Sequence, residues 1–468
     1  MFNSFSLLAC LCLLTMAPVV STAQPLPDST IAQLKAGIAG FKDRYHTPGM
    51  VVAVVHGKEI VFSESLGYVD LENKVAATID TRFPILSVTK TFTATMFMQL
   101  VQRKKIALDE DIKKYLPEYK GEIKSATESG ISFLQLATHT SGMPRNTPAD
   151  VNFAKQIDRW MLNRTHYESL EPASKKDLLR SLPYIKKVYP DYQLLSYGDR
   201  LYSNLGYSML GIALERAAKQ DYGEYVVNNI CKPLQMTSSG MGTESFGSTV
   251  VAKGYYFDDS LQQFLKTPVF HANSALYAGG MYSTARDLAK YISFQFDTSA
   301  AASKVLSLKN RRLMHSLRVG WKPLYPIVLH EGGMVGYRCQ VAFYPDLEIG
   351  WVILTNTTDF EFDKMNEYIG KLVSAVYRKP SPVMAKFVGT YRLQGGYDSL
   401  RIYMKDGQLY STYLEKELPV HPLVANGYNR FKAQARGSYN IGYSFVANDT
   451  DGIKALVLGQ LTWVKEKE

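Results

Sequence analysis

The feature that most constrains the fold is a serine and a lysine placed three residues apart, directly ahead of a long apolar run. Ser87 and Lys90 lie on one face if this stretch is helical, because residues three apart are neighbours on a helix surface. Pro84 suits the start of such a helix. The apolar positions that follow recur near helical spacing: Phe92, Met96, Phe97, Leu100 and Val101. The stretch therefore predicts a buried helix with a hydroxyl and an amine at its start.

The Ser87–Lys90 pair also indicates a chemistry. A serine hydroxyl becomes a good nucleophile when a neighbouring base takes its proton. A lysine can be that base if burial and nearby cations lower its pKa, and a helix start favours developing negative charge. The S-x-x-K pattern is short and also occurs by chance, so the spacing alone leaves a solvent-facing pair open as the alternative.

Residues 1–23 differ in texture from the rest of the chain. Residues 6–20 are almost entirely apolar, no charged side chain precedes Asp28, and small residues end the run at Ala23. This pattern predicts a signal peptide cleaved near Ala23 and hence an exported protein, periplasmic or secreted. The run is too short and too early to favour a membrane span. Lipidation at Cys10 is a lesser alternative, because few apolar residues precede that cysteine.

Cysteine usage and charge narrow the classes of partner. Without the leader the chain keeps Cys231 and Cys339, which could pair in an oxidising compartment or stay as buried thiols. The sequence has no C-x-x-C motif and no close His/Cys cluster, so we predict no metal site and no cofactor. The net charge of +10 is spread along the chain with acidic residues between the basic ones. That distribution predicts weak attraction to an anionic cell-wall surface and no nucleic-acid groove. Oligomeric state is left open.

The hydrophobic pattern predicts an α+β unit followed by a small all-β domain. Helices are expected over residues 30–43, 131–138, 205–220 and 361–378, and strand hairpins over 50–63 and 339–355. Residues 145–195 are polar and lysine-rich, and we interpret them as a helical excursion that overhangs a cleft. The predicted division is a catalytic domain at 24–378, a linker at 379–383 and an accessory domain at 384–468, a barrel or half-barrel with strands near 400–404, 409–413, 443–447 and 455–458.

Two further motifs stand downstream of Ser87, and each of the three patterns occurs once in the chain. They are Y-x-N at Tyr202 and H-x-G at His330. Their order and separations resemble the serine β-lactamase and penicillin-binding-protein superfamily, most closely its class C β-lactamase-related branch of esterases, D-aminopeptidases and D-Ala-D-Ala carboxypeptidases. Matching secondary signatures lie at residues 138–142, 202–207 and 279–288. The resemblance covers about residues 30–378 and implies an antiparallel sheet flanked by helices, with a mostly helical subdomain.

The resemblance also implies roles for the site residues. Ser87 would attack a carbonyl and become acylated, with Lys90 orienting or deprotonating it. Tyr202 is a second candidate base, since a phenol can act near neutral pH if adjacent cations lower its pKa. Asn204 would hydrogen-bond either the substrate amide or the Lys90 amine.

The H-x-G strand would supply the substrate-binding edge of the site. His330 stands where many relatives have the lysine of a K-T-G motif. Gly332 and Gly333 would keep the strand bare so that a substrate can lie against it. The backbone N–H groups of Ser87 and Gly333 would form the oxyanion hole.

These roles predict an exported serine hydrolase that forms an acyl-enzyme on Ser87. Its small-molecule or peptide substrate would be an ester or an amide, with D-amino-acid peptides as one such class. The absence of K-T-G makes efficient β-lactam hydrolysis less expected, since a histidine is charged only part of the time. The alternative is a penicillin-binding sensor or cell-wall-binding protein that acylates without turnover.

Overall fold

The computed structural model describes residues 24–121, 130–163, 166–187, 202–242, 250–324, 327–377, 386–393, 398–405 and 408–412, and the backbone of further strands between 418 and 466. The predicted signal peptide at 1–23 and the linker at 379–383 lie outside the described residues. None of the described helices is both long enough and apolar enough to cross a membrane.

The helices of the described residues are short to medium in length. The α-helices are α1 (Asp28–Arg44), α2 (Thr89–Gln102), α3 (Phe133–Ala137), α4 (Val151–Asn163), α5 (Lys175–Ser181), α6 (Asn204–Ala218), α7 (Tyr222–Val226), α8 (Leu276–Gly279), α9 (Ala285–Phe296), α10 (Ala300–Val305), α11 (Leu308–Leu317) and α12 (Asp363–Tyr377). Single 3₁₀ turns lie at Leu86–Val88, Ile112–Lys114, Pro148–Asp150, Leu182–Tyr184 and Asn273–Ala275, and a π-helical turn at Val227–Cys231.

The strands before residue 378 form one large sheet and three small ones. They are β1 (Gly49–His56), β2 (Glu59–Asp70), β3 (Val75–Ala76), β4 (Phe83–Pro84), β5 (Ser169–Leu170), β6 (Gly240–Met241), β7 (Tyr255–Asp258), β8 (Gln263–Lys266), β9 (Val269–Phe270), β10 (Met281–Ser283), β11 (Lys322–Leu324), β12 (Ile327–Met334), β13 (Tyr337–Tyr344) and β14 (Ile349–Thr355). The large sheet is seven-stranded and antiparallel, in the order β11-β12-β13-β14-β1-β2-β3.

Both faces of this sheet are covered, and the residues of β1 show why. Along the strand Val51, Ala53 and Val55 belong to one buried cluster, while Met50 and Val52 belong to another. Successive side chains of a strand point to opposite faces, so an unbroken apolar run predicts a strand with a core on each side. The second cluster includes apolar residues of α1 and α12, and the first includes those of α2, α6 and α9.

Helix α2 lies at the centre of the larger cluster. All of its residues from Thr89 to Leu100 are buried. The helix touches α6, α7, α8 and α11. This confirms the predicted buried helix, and it means that anything held at its N-terminal end is fixed by packing on several sides.

The strands that the structure describes after residue 386 form a closed antiparallel barrel. Its strands are β15 (Gly389–Leu393), β16 (Ser399–Lys405), β17 (Gln408–Ser411), β18 (Leu418–Pro422), β19 (Arg430–Gln434), β20 (Asn440–Ala447), β21 (Ile453–Leu458) and β22 (Leu461–Lys465). The predicted fold class is thereby confirmed, and β15 closes the barrel by pairing with β22. The domain boundaries themselves stay a prediction.

Candidate active site

Ser87 lies in a strained turn ahead of helix α2. Pro84 belongs to the short strand β4, where it pairs with Tyr282 of β10, so the expectation that Pro84 opens the helix was wrong. Ser87 sits in the 3₁₀ turn, and the preceding Leu86 has a φ of 47°. A positive φ is unusual for a bulky side chain and costs on the order of 1–3 kcal/mol, which the surrounding structure must hold. The turn leaves Ser87 partly exposed beneath a cleft, whereas Leu86 is buried.

Gly332 lets strand β12 press against this turn. A Cβ atom at Gly332 would lie 2.5 Å from the carbonyl oxygen of Ile85, 2.5 Å from Sγ of Cys339 and 3.0 Å from Cβ of Leu86. Real Cβ atoms do not approach backbone oxygen so closely, so only glycine fits here. The space that a Gly332 side chain would occupy is therefore filled by the Ser87 turn, and a substrate contact along this strand edge stays a prediction.

Lys90 is fully buried behind Ser87 and has three polar neighbours. Its Nζ atom lies 3.0 Å from Oγ of Ser87, 2.9 Å from Oδ1 of Asn204 and 2.8 Å from the carbonyl oxygen of Ala278. Burial lowers the pKa of Lys90 well below its usual value, and the positive charges of Arg145 and Lys322 lower it further.

The neutral form of this amine matches its surroundings. A neutral amine has two N–H groups and one lone pair, and the Asn204 amide oxygen and the Ala278 carbonyl can only accept hydrogen bonds. These two partners use both N–H groups. The lone pair of Lys90 is then left for the hydroxyl proton of Ser87, which is the arrangement a general base requires.

Asn204 is oriented by its position at the start of α6. The helix is capped by Ser203, whose Oγ accepts from the N–H of Gly206 at 2.7 Å. While Oδ1 of Asn204 faces Lys90, its Nδ2 donates to Oδ1 of Asn146 at 3.0 Å. Of the two partners that the sequence left open for Asn204, the structure therefore has the Lys90 amine.

Tyr202 lies at the same helix start, within a group of cations. Lys90 Nζ, the Arg145 guanidinium and Lys322 Nζ lie 4.8, 5.2 and 5.9 Å from the centre of its ring. Burial nevertheless raises the pKa of Tyr202 to about 12, against the lowering effect of a hydrogen bond with Ser87 and of the Arg145 charge. This rise disfavours the deprotonated phenol that Tyr202 would need to act as a base, and its catalytic role stays a prediction.

His139 supports Tyr202 and was not predicted as a site residue. Its ring lies 4.5 Å from the Tyr202 ring, centre to centre, and its Nδ1 accepts from the backbone N–H of Ser203 at 3.1 Å. The signature at residues 138–142 contains this histidine, but its spacing does not indicate which ring the histidine contacts.

His330 is buried in strand β12 and is 2% exposed. Its Nδ1 lies 2.8 Å from the carbonyl oxygen of Glu331, so Nδ1 carries the proton. Burial, together with the neighbouring Lys90 and Lys322 amines, lowers the pKa of His330 to about 3. The ring is therefore neutral and lies outside the cleft wall that the described residues form. Its contact with a substrate stays a prediction.

Two cavities meet at the nucleophile. The larger, about 560 Å³, contains Tyr202, Glu331 and several cationic side chains; the smaller, about 100 Å³, is mostly apolar and contains Asn204, Phe153 and Phe270. Among the described residues, Ser87 and Gly333 line both cavities. A carbonyl carbon bonded to Ser87 would therefore have one substituent on each side, with the two candidate oxyanion donors between them.

The cationic wall of the larger cavity was not predicted from the sequence. Its members come from separate segments: Arg145, Arg318, Lys322 and Arg338. No motif joins them, because each follows a different element and only the fold brings them together. Among the described residues, no group of three or more His, Cys, Asp or Glu side chains could hold a metal ion.

Comparison with known proteins identifies the family of the chain. A family model described as Beta-lactamase matches residues 28–374. Protein flp of Staphylococcus aureus (strain MRSA252) is 25% identical over 360 residues, which are 75% of this chain and 67% of that protein.

Two solved structures have a similar fold. The octameric penicillin-binding protein homologue from Pyrococcus abyssi has a TM-score of 0.61 at 20% identity, over 93% of this chain and 100% of that one. A class C β-lactamase has a TM-score of 0.57 at 18% identity, over 75% of this chain and 97% of that one.

Proposed function

This chain belongs to the β-lactamase family of serine hydrolases, and we propose that it hydrolyses an ester or an amide through an acyl-enzyme on Ser87. The observation that supports this most directly is the environment of Lys90. Its two N–H groups have acceptors in Asn204 and Ala278, and its third neighbour is the Ser87 hydroxyl. A Ser87–Lys90 pair that served only the fold would not require a buried amine with a lowered pKa.

In the first half-reaction Lys90 takes the proton of Ser87 while Oγ bonds to the substrate carbonyl carbon. The carbonyl oxygen gains negative charge and accepts hydrogen bonds from the backbone N–H groups of Ser87 and Gly333. The bond to the leaving group then breaks. The leaving oxygen or nitrogen takes up the proton from Lys90 through the Tyr202 hydroxyl, which suits this relay because its pKa is raised.

In the second half-reaction water attacks the acyl carbon on Ser87. Lys90 takes a proton from the water, a second tetrahedral intermediate forms and the ester bond to Oγ breaks. The Ser87 oxygen regains its proton from Lys90, and the free acid leaves. Each step conserves protons between Lys90, Ser87, water and the leaving group, so no cofactor enters the cycle.

The test is a turnover screen of nitrophenyl esters, D-amino-acid anilides and nitrocefin, with the wild type beside Ser87→Ala. We expect turnover of at least one ester or anilide, loss of that turnover in Ser87→Ala, and an acyl adduct on the peptide containing Ser87 by mass spectrometry. Full activity in Ser87→Ala would overturn the proposal. A permanent adduct without turnover would instead make the protein a penicillin-binding sensor.

We also propose that the enzyme works outside the cytoplasm, near an anionic cell-wall surface. The support is the apolar leader ahead of Ala23 and the net charge of +10. N-terminal sequencing of exported protein should begin at residue 24. A mature protein that retains its leader would contradict this.

A further inference from the structure

The larger cavity beside Ser87 carries far more positive than negative charge. Arg145, Arg318, Lys322 and Arg338 line it, and Glu331 is its one acidic side chain among the described residues. None of the four cations forms an ion pair with a described residue. Like charges repel one another in a shared cleft, so four cations beside one carboxylate need an explanation other than folding stability.

Two buried donors in the same wall lack partners. Nε of Arg318 and Nε1 of Trp321 are both inaccessible to solvent and have no hydrogen-bond partner among the residues that the structure describes. Trp321 is 2% exposed, and both residues line the cavity. Buried donors are normally satisfied, so this part of the wall has unused hydrogen-bonding capacity beside the cationic side chains.

Arg338 brings a guanidinium close to the reacting centre. It lies opposite Gly333 in the β12–β13 ladder, and a Cβ atom at Gly333 would come within about 2.0 Å of its Nη1 atom. The bare strand at Gly333 therefore makes room for this guanidinium. A guanidinium is a planar donor fork that suits carboxylate and phosphate oxygens.

The acidic residue of the cavity does not neutralise this wall. Glu331 accepts from Nε2 of Gln340 at 3.2 Å. Its single negative charge leaves the four cations with an excess of about three formal positive charges. A neutral substrate would leave all of that excess unmatched, and a single carboxylate would match only part of it.

The position of Tyr202 indicates which part of the substrate faces the cationic wall. Tyr202, the proposed proton donor to the leaving group, lines the larger cavity, whereas Asn204 lines the smaller. The leaving group therefore occupies the cationic side and the acyl group the apolar side.

We propose that the leaving group of the natural substrate carries a phosphate, or a comparable doubly charged anion, which the Arg145, Arg318, Lys322 and Arg338 wall binds. This inference rests on the proposed function, because it assigns the substrate side of the same acyl transfer. It makes the protein selective for acyl esters or amides of an anionic alcohol or amine.

The experiment compares three esters that share one acyl group and differ in the charge of the leaving phenol: phenyl butyrate, the butyrate ester of 3-hydroxybenzoate and that of 3-hydroxyphenylphosphonate. We expect kcat/KM to rise in that order, with a phosphonate preference of about tenfold or more over the neutral ester, the order of a charged hydrogen bond. The preference should weaken with added salt.

Variants of the cavity wall test which residues cause the preference for the phosphonate ester. In Arg318→Gln and Arg338→Gln the ratio of phosphonate to neutral kcat/KM should fall, mainly through KM. The matched control is Lys309→Gln, which removes one exposed positive charge from helix α11 outside the cavity and should keep the wild-type ratio. A neutral ester preferred by the wild type, or equal ratios in all variants, would overturn the inference while leaving acylation at Ser87 intact.

A binding measurement keeps the inference testable even if no ester is turned over. Calorimetry on the full chain would compare 3-hydroxyphenylphosphonate, 3-hydroxybenzoate and phenol. We expect the phosphonate to bind most tightly and the binding to weaken in Arg318→Gln. Tighter binding of the carboxylate would overturn the phosphate assignment in favour of a carboxylate. Equal binding of the three compounds would overturn the proposed anion site.

Discussion

Asn204 holds the Lys90 amine in place: its Oδ1 atom lies 2.9 Å from Nζ, and its own Nδ2 is fixed by Asn146 at 3.0 Å. An amide here gives the amine an acceptor without giving it a counter-ion. A carboxylate of the same shape would give both. The amide of Asn204 therefore does not favour the charged form of Lys90, as a carboxylate in the same place would.

Replacing Asn204 by Asp should move the activity to higher pH. An adjacent carboxylate favours the charged form of Lys90, so the pKa of the base should rise. The acidic limb of the kcat/KM profile, which reports the pKa of the base in the free enzyme, should shift to higher pH. Asn146→Asp places the same charge one hydrogen bond further from Lys90, beyond Asn204, and should shift this limb of the pH profile less. An unmoved limb in Asn204→Asp would show that Lys90 is not the base.

Replacing Tyr202 by Phe separates the two candidate bases. The pKa of Tyr202 is raised by burial, so its hydroxyl is expected to relay a proton and not to abstract one. Tyr202→Phe should lower kcat by about a hundredfold, the scale of general acid catalysis, while the pH limb set by Lys90 stays in place. Loss or displacement of that limb would assign the base to Tyr202.

Much of the scaffold could be predicted because its signals are local. The spacing of apolar residues in α2 and the unbroken apolar run of β1 each reflect a period fixed by one element. The same holds for the hairpin between β13 and β14, whose turn residues punctuate two strand-like runs. The order of Ser87, Tyr202 and His330 along the chain then predicted that these three residues belong to one site.

The features of the site that the sequence does not indicate arise from contacts between segments that are far apart in the chain. The bareness of Gly332 suggested room for substrate, yet that space is taken by the Ile85 carbonyl, a contact across more than two hundred residues. The protonation preferences of Lys90 and Tyr202 depend on burial, which spacing does not give. The cations Arg145 and Lys322 lie in no motif, so only the fold shows that they surround one ring.

The buried amine should make stability depend on pH. The pKa of Lys90 is lowered in the folded state, so between that value and its usual one the unfolded chain binds more protons, and stability rises with pH there. Lys90→Met removes this titration. The unfolding free energy of the variant minus that of the wild type should therefore fall as pH rises towards about 10.4, as measured by urea unfolding at several pH values. A difference that is constant with pH would show that Lys90 is charged in the folded protein.

The two cysteines should be unreactive in the native protein. Cys231 and Cys339 are free and buried, so the pairing that the sequence left open is not formed. Burial raises the pKa of Cys231 to about 12 and raises that of Cys339 as well, whose Sγ donates to the Ile85 carbonyl at 2.9 Å. A polar thiol reagent should label neither in the folded mature protein and both after denaturation without reductant. Labelling of neither in denaturant would reveal a disulfide.

Substituting Gly332 by Ala should disable the enzyme without touching a reactive group. The added Cβ would meet the Ile85 carbonyl and Leu86, so the turn that carries Ser87 must move away from β12. A shift of about 1 Å at a nucleophile costs on the order of a hundredfold in rate, and overpacking costs about 1–3 kcal/mol of stability. Gly40→Ala is the matched control, because a Cβ there meets nothing within 4 Å on helix α1, and alanine in a helix should raise the melting temperature slightly. Equal kcat/KM in the two variants would mean that the β12 contact does not position Ser87.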